Sequence, residues 1–134
     1  MIGLLQRVSQ ANVVVQKRVI AEIARGLVVF VAVERGDTET HATQLLGRLT
    51  GIRVFPDRDG RMNLNILEAK GSMLLVPQFT LAADTRKGNR PGFSGAAVRE
   101  EGSRLFEYLV VQAKKSETPV CAGEFGSEMQ VNIS

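Results

Sequence analysis

The run Leu27-Val28-Val29-Phe30-Val31-Ala32-Val33, opened by Gly26, constrains this chain more than any other stretch. It is apolar at every position and shows none of the alternation of a strand with one wet face. Such a run reads as a central strand covered on both sides. It also falls far below the roughly 18 apolar residues of a membrane span, so no membrane partner is expected. Ser72 to Val76 reads as a second central strand. With 134 residues, 44% of them hydrophobic, the chain suits one core and a single domain over 1–134.

Met1 to Val15 is rich in Val and Ile, and Gln16-Lys17-Arg18 separates it from the extended run Val19 to Ile23, which predicts a β-hairpin. Asp37 is the expected N-cap of a helix with apolar positions Ala42, Leu45, Leu46, Leu49 and Ile52, ended by Gly51. Asp59-Gly60 marks a turn between Ile52–Phe55 and Met62–Ile66. Ser94 is the expected cap of a second helix whose stripe is Val98, Leu105, Leu109 and Ala113, widened by Phe106 and Val110 and stopped by Ser116-Glu117-Thr118-Pro119. Val120–Phe125 and Met129–Ile133 read as closing strands, the latter alternating cleanly. The expected fold class is therefore α/β: a hairpin, two strand-helix units and C-terminal strands, with the helices on one side of the sheet.

Several chemistries find no foothold. The single histidine, His41, sits in the first helix with nothing local to build a Ser-His-Asp triad. His41 and the single cysteine, Cys121, have no metal-ligand spacing, so neither a metal nor another cofactor is expected. Cys121 reads as a small buried hydrophobe. Asp57-Arg58-Asp59-Gly60 lacks the later glycine and closing glutamate of a calcium loop, and neither GxxxxGK[ST] nor GxGxxG occurs. A net charge of +3 neither demands nor excludes a nucleic acid, while the absence of Trp and a single Tyr argue against a broad stacking platform. The start has neither a basic n-region nor a small-residue cleavage site, so a cytoplasmic protein is expected. Any reaction must rest on positioning and backbone dipoles.

The place for such dipoles is Pro77-Gln78-Phe79-Thr80-Leu81, where polar groups follow a buried strand and backbone N–H groups leave the ladder. The basic turn Gly88-Asn89-Arg90-Pro91-Gly92-Phe93 follows. Together with Met1-Ile2-Gly3-Leu4-Leu5-Gln6-Arg7-Val8 and Gly60-Arg61-Met62-Asn63-Leu64-Asn65, these segments resemble the D-aminoacyl-tRNA deacylases over nearly the whole chain. The resemblance implies that family's layered fold and a homodimer with active sites at the interface. It also implies hydrolysis of the ester joining a D-amino acid, or glycine, to the 3′-terminal adenosine of tRNA. Gln78, Phe79, Thr80 and Leu81 match the family's Ser-Gln-Phe-Thr-Leu run, which implies that N–H groups at Gln78 to Thr80 hold the ester carbonyl. The substrate's own ribose hydroxyl would help activate water. Phe125 and Met129 match positions that hold the adenine, and Arg7 matches the arginine that fixes the selectivity element.

Taken without the resemblance, Phe79, Phe125 and Met129 read as core residues, Gln78 as a strand-end polar residue and Arg7 as a solvated strand residue. Thr80 reads as a strand-favouring residue or the nucleophile of a conventional esterase. Arg86, Lys87 and Arg90 read either as contacts for acceptor-end phosphates or as a solvated loop. The chain departs from the family at Pro77, where serine is usual, which removes one N–H and one hydroxyl. The family's Gly-Pro selectivity segment would follow Ser134. Because Met129–Ile133 alternates up to the last residue with no turn, we expect roughly ten further residues in the native protein. The alternative to an enzyme is a tRNA-binding or dimer-scaffold protein of the same fold without hydrolysis.

Overall fold

A computed structural model describes all 134 residues. Strands β1 (Ile2–Val8), β4 (Gly26–Ala32), β7 (Ser72–Pro77) and β8 (Val120–Ala122) form one sheet in the order β1-β4-β7-β8. β1 is antiparallel to β4, whereas β4, β7 and β8 run parallel. A second, antiparallel sheet has β2 (Ala11–Val15) between β3 (Arg18–Ile23) and β9 (Gln130–Ile133). β5 (Phe55–Pro56) and β6 (Met62–Leu64) make a short ribbon around the Asp59-Gly60 turn, with Gly60 at φ 78°. The helices are α1 (Glu39–Gly51) and α2 (Arg99–Lys114).

The unbroken apolar character of β4 and β7 has its explanation in two cores. Leu27, Val29, Val31, Met73 and Leu75 face the helices, where Leu49 of α1 and Phe106 and Leu109 of α2 complete a buried cluster. Val28, Leu74 and Val76 face the other way and pack on Val13, Ala21 and Ile23 of the second sheet. Both helices thus cover one face of the four-stranded sheet, as the strand-helix pattern predicts, and the second sheet covers the other. No buried side-chain nitrogen or oxygen lacks a partner.

Four local expectations are corrected. Met1–Val15 is not one strand: it breaks at Ser9-Gln10, so β1 serves the first sheet while β2 pairs with β3 across the Gln16-Lys17 turn. Both turn residues have positive φ, 49° and 65°, which fits a two-residue hairpin of the primed type. The N-cap of α1 is Thr38 rather than Asp37, and the Thr38 N–H donates to His41 Nδ1 at 3.0 Å. α2 starts at Arg99 after Val98, five residues into the segment expected to be helical after Ser94, and no side chain caps it. Val98 and Ile52, both placed on apolar stripes, are 60% and 41% exposed because each lies just outside its helix.

Asp37 has another task. The Met1 ammonium lies 2.9 Å from both Glu34 Oε1 and Asp37 Oδ2, and Asp37 also accepts the Glu34 N–H at 2.7 Å. Burial pushes the ammonium pKa down, but hydrogen bonds to Asp37 and Glu34 and their charge push it up further, so it stands above its ordinary 8.0. A group raised on folding stabilises fully below its unfolded pKa and loses that stability as pH climbs through the folded one. The Tm advantage of the parent over Asp37→Asn should therefore be full at neutral pH and shrink above pH 8.0, as read by thermal unfolding across a pH series. A difference that does not vary with pH would assign the role of Asp37 to the Glu34 N–H alone.

Candidate functional site

β7 ends at Pro77, and the chain passes through Gln78 directly into a 3₁₀ turn over Phe79–Ala82. Gln78 still belongs to the ladder by one bond, its N–H donating to Val31 O at 2.7 Å. The first N–H groups of a helical turn have no acceptor inside it. Those of Phe79 and Thr80 meet no turn or loop acceptor either. The expectation of free donors at Gln78, Phe79 and Thr80 is thus corrected to Phe79 and Thr80, with Gln78 anchoring the end of β7 to β4.

Proline at position 77 fits for a geometric reason. Successive N–H groups along a strand point to opposite neighbours. The Gln78 N–H faces β4, so position 77 faces the side of β8, where pairing has ended at Leu75↔Ala122. The last bond on that side is Gly123 N–H to Leu75 O at 2.8 Å, and a proline at 77 ends the ladder there without cutting the bonds before it. The Val76–Pro77 peptide is trans.

A cavity of about 480 Å3 opens at this end of β7, lined by Pro77, Gln78, Phe79, Arg99, Phe125 and Met129 among others. Phe125 packs on the helix-side core, its ring 6.4 Å from that of Phe106, while Met129 packs on the core between the sheets. The cavity therefore sits where the two layers part, beyond the carboxyl end of a parallel strand, which is the usual place for ligands in α/β sheets. Phe79 is 55% exposed and its ring stands edge-on to Phe93, 5.0 Å between centroids. Two bonds between Asp84 and Gly92, 2.6 and 2.8 Å, pin the loop that carries Phe93.

The remaining candidates lie outside the cavity lining. Thr80 is exposed beside it and its hydroxyl accepts a hydrogen bond from Gln78 Nε2. An amide is no base, so nothing here activates Thr80 as a nucleophile. Arg7 donates through Nη1 to Val54 O at 2.6 Å. Cys121 Sγ donates to Glu22 O at 3.6 Å, and burial pushes its thiol pKa up, which keeps it protonated and unreactive. In the basic loop, Arg86 is held by Asp84 through Nε–Oδ1 at 3.0 Å and Nη2–Oδ2 at 2.9 Å. Lys87 and Arg90 have no such partner.

Sequence reasoning missed Arg99 in the cavity wall and the ring contact that Phe93 makes with Phe79 beside it. The Phe93 contact carried no signal, since it depends on the Asp84–Gly92 pairing. Arg99 did carry one: a cation in the first turn opposes the helix dipole. Placing the cap at Ser94 hid it.

The cavity wall is sensitive at Gly123. A methyl group there would lie 2.8 Å from Met129 Sδ and 3.4 Å from Pro77 Cδ. Sulfur sits in the middle of the Met129 side chain rather than at its end, so Gly123→Ala should cost about 1–3 kcal/mol of stability while displacing Met129. Thermal unfolding should show that cost as a lower Tm; a Tm equal to the parent's would mean that Met129 yields without strain.

Comparison with known proteins places this geometry. The sequence model of the family described as D-Tyr-tRNA(Tyr) deacylase matches residues 4–134. A D-aminoacyl-tRNA deacylase of Nitrosococcus oceani is 52% identical over 134 residues, covering 100% of this chain and 86% of that protein. One of Janthinobacterium sp. is 48% identical, covering 100% and 90%. Among solved structures, the c-Myc DNA unwinding element binding protein superposes with a TM-score of 0.92 at 30% identity, covering 98% of this chain and 89% of that one. A probable eukaryotic D-amino acid tRNA deacylase, 18% identical, shares the fold with a TM-score of 0.81, covering 98% and 92%. A match over almost the whole length and relatives near half identity lead to one conclusion: the chain belongs to the D-Tyr-tRNA(Tyr) deacylase family.

Proposed function

We propose that residues 1–134 act as a D-aminoacyl-tRNA deacylase domain, a hydrolase that removes D-amino acids esterified to the 3′-terminal adenosine of tRNA and so guards translation. Family membership supports the reaction class. The observation that carries the site is the pair of unengaged N–H groups of Phe79 and Thr80 at the rim of the cavity beyond β7. In this reading adenine lies between Phe125 and Met129, whose flat and polarizable surfaces suit a base. The ester carbonyl then points at the two N–H groups. Water adds to the carbonyl carbon, and the negative charge that develops on oxygen is met by those donors. The bond to the ribose 3′ oxygen breaks, that oxygen takes up a proton, and the amino acid leaves as its carboxylate. The vicinal ribose hydroxyl relays the proton, which is why no side-chain base is needed.

Selectivity belongs to the same proposal. Rejection of L-amino acids by exclusion of their side chain cannot exclude glycine, which has none, so glycyl-tRNA is an expected further substrate. Arg7, on β1, serves to hold the selectivity element, and Lys87 and Arg90 meet acceptor-end phosphates. A homodimer is supported by the exposure of Phe79 and of Leu4, 55% and 54%, apolar surface that a second copy would cover. The reaction is cytoplasmic, where aminoacyl-tRNA is found; no helix is long and apolar enough to cross a membrane.

With D-Tyr-tRNA as substrate, we expect turnover that persists in EDTA, while L-Tyr-tRNA survives. Loss of activity in EDTA with recovery on zinc would refute the backbone mechanism. Thr80→Ala should keep kcat within about tenfold of the parent, since the N–H groups stay in place. Background-level turnover in a folded Thr80→Ala protein, or a trapped acyl-Thr80, would make Thr80 the nucleophile.

A further inference from the structure

We infer that Arg99 binds the phosphate on the 5′ side of the terminal adenosine, and so makes the site prefer a nucleotide ester over a bare nucleoside ester. The inference rests on the deacylase reading above and adds a residue to it. Arg99 lines the cavity on the same side as Phe125, Gly126 and Ser127. Its guanidinium lies over Gly126, where a methyl group would come within 2.7 Å of Nη2. Gly126 has φ 82°, so this position suits glycine in conformation as well as in space.

Ten of the twelve arginines make no ion pair, and Arg99 differs from the other nine in lining the cavity. Arg86 and Arg104 each pair with a carboxylate, at 2.9 and 3.1 Å. Arg99 makes no ion pair, and no side-chain hydrogen bond involves it. As the first residue of α2 it also works against the helix dipole, whereas Glu100 and Glu101 beside it suit that dipole. Neither local pairing nor helix stability accounts for a cation at this spot. It stands at an apolar cavity ready for an anion.

The substrate supplies one. With adenine against Phe125 and Met129 and the ester carbonyl at Phe79 and Thr80, the ribose spans the cavity. The anionic group left on the terminal nucleotide is its 5′ phosphate. A guanidinium offers phosphate two parallel N–H donors, which the compact ammonium of lysine does not. Lys87 and Arg90, carried on the separate 84–92 loop, remain for phosphates further along the acceptor strand.

The test uses the 3′-O-D-tyrosyl esters of adenosine and of adenosine 5′-monophosphate, with D-Tyr-tRNA as reference, on the parent and on Arg99→Ala, Arg99→Gln and Arg99→Lys. Because Arg99 is exposed, these variants should unfold at the parent Tm, which thermal unfolding checks. The parent should prefer the phosphorylated ester about tenfold in kcat/KM, expressed in KM, as a charge-assisted hydrogen bond provides. Arg99→Ala and Arg99→Gln should bring that ratio close to unity, and Arg99→Lys should restore part of it. A ratio that stays at the parent value in Arg99→Ala overturns the inference, as does a parent indifferent to the phosphate. Equal losses on both esters would make Arg99 a stacking partner of adenine instead. If the parent fails to hydrolyse even D-Tyr-tRNA, the deacylase reading falls and this inference with it; turnover that ignores the phosphate sinks the inference alone.

Discussion

The structure depends on the parallel pairing of β4 with β7, two strands that are buried on both faces. Their starts come so close that a methyl group on Gly26 would lie 1.7 Å from Ser72 O, which is incompatible with the register Gly26↔Ser72. From that register the alternate side chains of each strand are assigned to opposite layers. The helices cover one set and the second sheet covers the other. Two layers of protein must then meet along one pair of strands, and they part where the strands stop. The cavity is the consequence of that parting.

A site built this way asks little of its side chains. Burial of β7 carries the backbone to the rim of the cavity, and the 3₁₀ turn after Gln78 releases two N–H groups at the point where the strand would have used them. A backbone donor has no rotamer to lose and no charge to desolvate, so its aim is as rigid as the sheet behind it. In the proposed reaction Pro77 therefore removes neither donor. The lost N–H faces β8 just past its last bond, Gly123 N–H to Leu75 O, and both donors at Phe79 and Thr80 remain. Ring contacts from Phe93 to Phe79 and from Phe106 to Phe125 then hold the two aromatic walls.

The two helix starts show where local rules lose to tertiary ones. Asp37 is a good N-cap in isolation, yet its carboxylate is taken by the chain's own amino terminus, 36 residues away, and the cap passes to Thr38. Ser94 likewise has the right side chain, but residues 95 to 97 bond to the segment after β4: Arg35 N–H to Gly95 O and Ala97 N–H to Val33 O. That pairing holds the segment extended and delays α2 to Arg99. A cap preference is worth about 1 kcal/mol, less than two long-range backbone bonds and the packing they bring.

The sequence by itself determined the layers and the family. Seven consecutive apolar residues have no stable place except between two layers, helical periodicity marked both helices, and the Gln78–Leu81 segment with its companions marked the relationship. These are properties of near neighbours along the chain. The tertiary structure alone decided how distant segments share strands and walls. It split Met1–Val15 between two sheets, spent the Gln78 N–H on Val31, tied Arg86 to Asp84, set Phe93 against Phe79, and brought Arg99 to the cavity. The physical reason is that a hydrogen bond or ring contact between residues far apart in sequence leaves no periodic trace. Such a pairing exists only once the buried strands have set the register in which the remote segments meet.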